Sequence, residues 1–325
     1  MCPPPSFLAT DAFYSGVHHV LTAIEVPLHI FGAYVIVTRT PSKMSSVKAS
    51  LLLLHLVGAY VDVYLSFVTT PVLTLPGCLG YFLGVTLWLG LPSDVMSYWD
   101  ISLVGVLAVT ILIFFEDRYF RLTKGPTAGS RSWKRVFYVV LHYFLSVTFI
   151  APAYYNKMDQ QLGRQLIKQL IPCIPAEVPA RPDFIILDTD KTLTCWCVGL
   201  MFVFLFPQVI FFVFQISWYL YHTVSQSQAT NRLQKQFFVA LCIQVFIPFA
   251  LLCFPVIYII FAIYSGYYNQ AATNVAQIAV SCHGILSTLT MLIVHKPYRQ
   301  ETLEFVNIEM KQNTVRSITG IDAKI

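Results

Sequence analysis

The residues of this 325-residue chain that could do chemistry are ionisable groups set inside long apolar stretches. His18, Thr22, Glu25 and His29 are spaced by four, three and four, which on a helix puts them on one face. His55 and Asp62, seven apart, share a second face that Ser66 continues. Such groups are costly in hydrocarbon, so each is a functional hypothesis by default, and a face carrying four of them does not point at lipid. Counted at ~1.5 Å per residue from the basic ends of their helices, Glu25 and Asp62 both lie ~20 Å up, with His29 and His55 at ~14 and ~9 Å. Two carboxyls at one depth disfavour simultaneous ionisation, so at least one is expected to be protonated or hydrogen-bonded. The cluster has several open uses: glue between helices, a cation or proton site coupled to conformational state, contact with a ligand, or a transporter-style proton relay. No second such cluster appears in the fourth to seventh apolar segments. His283 is a candidate for a ligand contact or a helix-packing hydrogen bond rather than for catalysis.

A second constellation is the run Phe114–Phe120, FFEDRYF, at the end of an apolar segment. Half-buried acids beside an arginine normally pair with it. Glu116 and Asp117 are therefore expected to hold Arg118, next to Tyr119, in a latch. Its release would let the guanidinium meet a partner's backbone carbonyls. The bland alternative is a helix-end charge cluster that only sets topology.

Composition says what positions these groups. Hydrophobic residues make up 56% and charged residues 11%, and the mean hydropathy is +0.65. A soluble domain carries roughly 25% charge. Seven segments approach the roughly 20 apolar residues that a bilayer core demands: about 13–37, 50–72, 94–120, 136–155, 194–221, 236–264 and 274–294. With the connections assigned alternately, 16 of the 21 Lys and Arg residues fall on one side and five, all in the connection 156–193, on the other. Short basic loops stay cytoplasmic. The expected fold is thus an all-α membrane protein, a seven-transmembrane helix bundle with the N-terminus outside and the C-terminus cytoplasmic. Residues 1–12 form a short outer terminus without the basic region of a cleaved leader, and 295–325 an inner tail. The net charge of +5 is mostly this asymmetry facing the lipid bilayer, not a nucleic-acid surface.

The apolar run 79–91 is too short to span and is bounded by Pro76-Gly77 and Pro92-Ser93. It is expected to be re-entrant or interfacial on the outer face, with Ser93 capping the third helix. The long outer connection holds four prolines and a β-like run at 184–187, and is large enough to lie over a pocket mouth. Cys78 and Cys173 share the oxidising face and form a candidate disulfide, with Cys195 or Cys197 as the rival partner. Pro207, Pro248 and Pro255 lie within the fifth and sixth segments, and each removes a backbone donor that a helix would use, marking a candidate hinge. No metal-ligand spacing, nucleophile triad or phosphate loop is present. Neither an enzyme nor a cofactor or metal site is expected.

Several blocks resemble one family. The stretch IEVPLHIFGAYVIVTRTP (24–41), GYFLG (80–84), the acidic-Arg pair ending the third helix, IPCIP (171–175), IQVFIP (243–248) and HGILSTLTMLIVHKPYR (283–299) are similar to the nematode serpentine chemoreceptors of class H. The blocks run from residue 24 to 299, and the last is the most specific. The third helix in that family often ends in Glu-Asn-Arg, where this chain has Glu-Asp-Arg-Tyr. The resemblance implies a G-protein-coupled-type receptor of the ciliary membrane of sensory neurons. Its partners would be a small-molecule ligand among the outer halves of the helices and a heterotrimeric G protein on the cytoplasmic side. A transporter or channel using Glu25 and Asp62 is the alternative.

Overall fold

The computed structural model describes residues 4, 6–42, 45–125, 132–188, 192–222 and 228–307. Long apolar segments satisfy their backbone polar groups internally by becoming helices, as hydrocarbon requires. The long ones are α1 (Asp11–Arg39), α2 (Ser45–Val63), α3 (Ser93–Lys124) and α4 (Trp133–Thr148), followed by a five-residue α5 (Ala151–Tyr155). Between α2 and α3 lie β1 (Pro71–Thr74) and β2 (Cys78–Phe82). The connection after α5 holds α6 (Gln160–Leu170), α7 (Glu177–Ala180) and β3 (Ile185–Asp188). The chain closes with α8 (Thr192–His222), α9 (Gln228–Ser265), α10 (Gln270–Ser281) and α11 (His283–Val294). Among the described residues six helical stretches are long and apolar enough to cross a membrane, the last being α10 and α11 taken together. At 38 residues α9 has the length as well.

Around the bundle α1 packs on α2 and on α10 and α11, α2 on α3, α3 on α4 and α8, and α9 on α10 and α11. The third helix is the most enclosed of the six spans. Val35, Leu51, Phe114, Phe115, Ile216, Leu241 and Met291, drawn from α1, α2, α3, α8, α9 and α11, form one core with Tyr298 at the basic end of the bundle. Large apolar side chains such as Phe137, Phe144, Val203 and Phe214 stay exposed on its flanks, as expected where lipid rather than water is the neighbour.

The opposite end is capped by a sheet. β2 pairs antiparallel with β1, Gly80 opposite Leu73, and with β3, Gly80 opposite Ile185. Beneath it Tyr14, Val72, Tyr81, Ile167, Phe184 and Ile186 make a separate core. The apolar run 79–91 is therefore largely not helical: its first residues are β2, and a single 3-10 turn follows at Val85–Leu87. The second span is shorter than expected. Its α-helix stops at Val63, widens into a π-helical turn at Tyr64–Val68 and gives way to β1. Thr70 closes that turn with φ of 44°, a left-handed conformation uncommon for a non-glycine residue. Two glycines of the GYFLG block are fixed by sterics: a Cβ on Gly80 would lie 2.6 Å from the Val72 carbonyl oxygen, and one on Gly84 would overlap that of Val68. Ser93 is the first residue of α3 rather than its cap; Pro92 holds the cap position, where no side chain bonds the backbone.

Candidate functional site

The polar cluster assembles between α1, α2 and α11. Ser66 Oγ donates to Glu25 Oε2 at 2.9 Å and lies 2.9 Å from the Thr22 hydroxyl. His29 Nε2 comes within 3.2 Å of Asp62 Oδ2, and His283 Nδ1 within 3.3 Å of Asp62 Oδ1. His29 Nδ1 meets the Thr288 hydroxyl at 3.0 Å, and its backbone carbonyl accepts from His55 Nε2 at 2.9 Å. The His29–Asp62 approach is close enough for an ion pair but poorly aligned as a hydrogen bond, leaving His29 Nε2 and both Asp62 oxygens without a hydrogen-bond partner among the described residues. Proximity without alignment is the geometry of a group held by packing. The packing is visible at two glycines: a Cβ at Gly284 would overlap the Asp62 carboxyl, and one at Gly32 would lie 2.7 Å from the His55 ring. His18, on the same α1 face, is fully buried but stands apart, its ring 4.4 Å from that of Tyr14. The break between α10 and α11 puts His283 and Gly284 against Asp62, and His283 Nδ1 also reaches the Val280 carbonyl at 2.9 Å.

At the basic end the acids of FFEDRYF are both clamped, but by other arginines than expected. Arg135, from the first turn of α4, reaches Glu116 at 2.8 Å and Asp117 at 2.6 Å, and Asp117 also accepts from Arg121 at 2.7 Å. The acids thus pair with Arg135 and Arg121, where the sequence pointed to Arg118. Neighbouring residues on a helix point in different directions, whereas Asp117 and Arg121, four apart, share a face. Arg118 itself is buried, and the Tyr119 ring packs 5.8 Å from that of Phe212 on α8. The HKPYR block closes the same end: His295 Nε2 lies 3.2 Å from Gln244 Oε1 of α9, and Tyr298 Oη lies 2.8 Å from Thr40 Oγ1 beyond α1.

The sheet end is tied by two arginines. Arg164 of α6 donates to the carbonyls of Pro179, Arg181 and Phe184. Arg181 lies 4.3 Å from the Tyr81 ring centroid, pairs with Asp183 at 3.1 Å and reaches Asp11 at 3.3 Å. Burial, with the Asp11 carboxylate accepting its hydrogen bond at 2.7 Å, holds the Tyr81 phenol well above its usual pKa. Cys173 is disulfide-bonded, but its partner lies outside the described residues. Among the described residues no disulfide joins Cys78 to Cys173, Cys195 or Cys197. Pro207 lies inside α8, and Pro248 and Pro255 inside α9, with both helices continuing past them.

Two groups escaped the sequence reading. Asp100 of α3 is 7% exposed, and Thr69 donates to its Oδ1 at 2.9 Å. Gln208, directly after Pro207, accepts from the Tyr138 hydroxyl at 2.7 Å, tying α8 to α4. The same rule that singled out Glu25 would have found Asp100, seven residues into its apolar segment.

These elements define a polytopic helical membrane protein with a buried polar cluster, a charged clamp at one end and a folded cover at the other. Residues 9–308 match the family model described as "Serpentine type 7TM GPCR chemoreceptor Srh", and the chain belongs to that family. It is 27% identical over 302 residues to "Serpentine receptor class H-72" of Caenorhabditis elegans, an alignment covering 92% of this chain and 87% of that protein.

Proposed function

We propose that this chain is a chemosensory receptor that binds a small-molecule cue among its helices at the sheet end and signals to a heterotrimeric G protein at the basic end. The observation that carries the reading is the clamp at the end of α3: two buried carboxylates beside Arg118, held by Arg135 from the neighbouring helix. Basic residues concentrate at that end, which favours a cytoplasmic C-terminus and an outer N-terminus. A ligand acts by preferring one of two arrangements of the bundle. In the resting arrangement Arg135 and Arg121 engage the acids; in the signalling one they release them, and Arg118 becomes available to the G protein. Movement at Pro207, Pro248 and Pro255 opens that face, while Glu25, His29, His55, Asp62 and His283 join α1, α2 and α11 and change their contacts with state. The site of action is the plasma membrane, in the ciliary membrane of sensory neurons by family resemblance. The test is G-protein activation in expressing cells, normalised to surface receptor, across a panel of volatile and water-soluble compounds. A compound that activates wild type but not Arg118→Ala at equal surface level supports the reading. Labelled-substrate uptake into proteoliposomes without any G-protein response would replace it with a transporter.

A further inference from the structure

We propose that Asp100 is the recognition point for a small organic cation, a protonated amine or a quaternary ammonium, held between α1, the outer end of α2 and α3. The proposal rests on the receptor reading and names the class of its ligand.

Asp100 is buried, yet its carboxylate is only half satisfied. Thr69 donates to Oδ1, while Oδ2 has no hydrogen-bond partner among the described residues, and no Lys, Arg or His there comes within ion-pair distance. Three other buried acids have cationic or imidazole neighbours: Asp62 has two imidazoles beside it, Glu116 and Asp117 have guanidiniums, whereas Glu25 likewise has a single hydroxyl donor, Ser66. Burying a carboxylate without a counter-charge is costly. A cation delivered from outside would remove that cost, which is a large differential interaction for a ligand to exploit.

The surroundings are built to hold such a group. Thr69 is fully buried and fixed by its own backbone: its N–H donates to the Tyr64 carbonyl at 2.9 Å and its carbonyl accepts from Gly84 at 2.9 Å. Two residues on, the Pro71 carbonyl accepts from the Tyr14 hydroxyl at 2.8 Å. The Tyr14 ring lies 4.4 Å from the His18 ring, whose two nitrogens are buried and without hydrogen-bond partners among the described residues. A short path of contacts thus joins two incomplete polar groups, Asp100 and His18. A protonated amine can donate to Oδ2, and a quaternary ammonium can meet its charge without a hydrogen bond. His18 offers the remainder of the ligand one donor and one acceptor. A metal ion fits poorly: no group of three His, Cys, Asp or Glu among the described residues is arranged to hold one.

The test uses the full chain in lipid nanodiscs. The probes are isoamylamine, phenethylamine and choline, with isoamyl alcohol and 2-phenylethanol as neutral counterparts of the first two; binding is read from the shift in thermal unfolding. At least one amine should bind, about tenfold or more tighter than its alcohol where it has one. Asp100→Asn, which keeps an amide oxygen for Thr69 and removes only the charge, should weaken amine binding about 10- to 100-fold, the range of a charged hydrogen bond. Equal binding of amine and alcohol, no binding by any amine, or unchanged amine affinity in Asp100→Asn overturns the proposal. The wild-type comparison of amine with alcohol decides it even if the variant does not fold. G-protein activation by the same preparations separates the two readings. Intact coupling with no preference for amines removes only the ligand class, whereas amine binding with no coupling leaves the cation site and removes the receptor.

Discussion

Gly284 shows how tightly the polar cluster is built, because a single methyl group there would overlap the Asp62 carboxyl. Gly284→Ala should therefore destabilise the protein by about 1–3 kcal/mol, the usual range for overpacking. Gly199→Ala, whose Cβ would meet nothing within 4 Å, should stay within about 0.5 kcal/mol of wild type. Thermal unfolding of the two purified variants checks the contrast, and equal stability would mean that α11 does not press on Asp62. At this scale the sequence was informative about charge and silent about fit. Ionisable residues inside apolar runs pointed to Glu25, His29, His55 and Asp62, and the structure places His29, His55 and Asp62 in contact. Nothing in the sequence told that Gly32 and Gly284 are the small residues that let those side chains seat. Sequence spacing did not reach the partner of Cys173 either, since a bridge depends on Cα separation across the fold.

At the level of elements, the clamp and the cover carry the account. The acids of α3 were legible, but their partner was not, because Arg135 arrives from a different helix and spacing reports only contacts within one. Arg135→Lys keeps a positive charge and loses the two-pronged grip on Glu116 and Asp117. It should raise ligand-independent signalling several-fold, a shift worth ~1 kcal/mol. Asp117→Asn, which loses both Arg121 and Arg135, should act in the same direction. Both are read as basal G-protein activation per surface receptor. On the cover, Arg164→Ala removes three hydrogen bonds to backbone carbonyls. The stretch 156–188 should then be cut faster by protease on intact cells, with little change in the helices. Unchanged cleavage would show that the core under the sheet holds the cover alone. Hydropathy could not find that sheet. A strand in a cover and a short piece of membrane segment are both brief apolar runs, and only the pairing of Leu79 with Thr74 and Ile186 distinguishes them.

For the whole molecule, the apolar segments and the family blocks agree because both report the same physical demand, helices that satisfy their own backbone in lipid. The HKPYR ending fits that frame: His295 reaches α9 and Tyr298 reaches Thr40, so one motif after α11 ties α9 and the end of α1 together at one end. Orientation rests on the split of basic residues. A tag before Phe13 should be reached by antibody on intact cells and one after Ile325 only after permeabilisation; the reverse labelling would turn the clamp away from any G protein. The most direct measurement is G-protein activation normalised to surface receptor in wild type, Arg135→Lys and Arg118→Ala. The account predicts raised basal activity in Arg135→Lys and loss of activity in Arg118→Ala. Wild-type activity in both, at equal surface level, would contradict it and reduce the cluster to a topology signal.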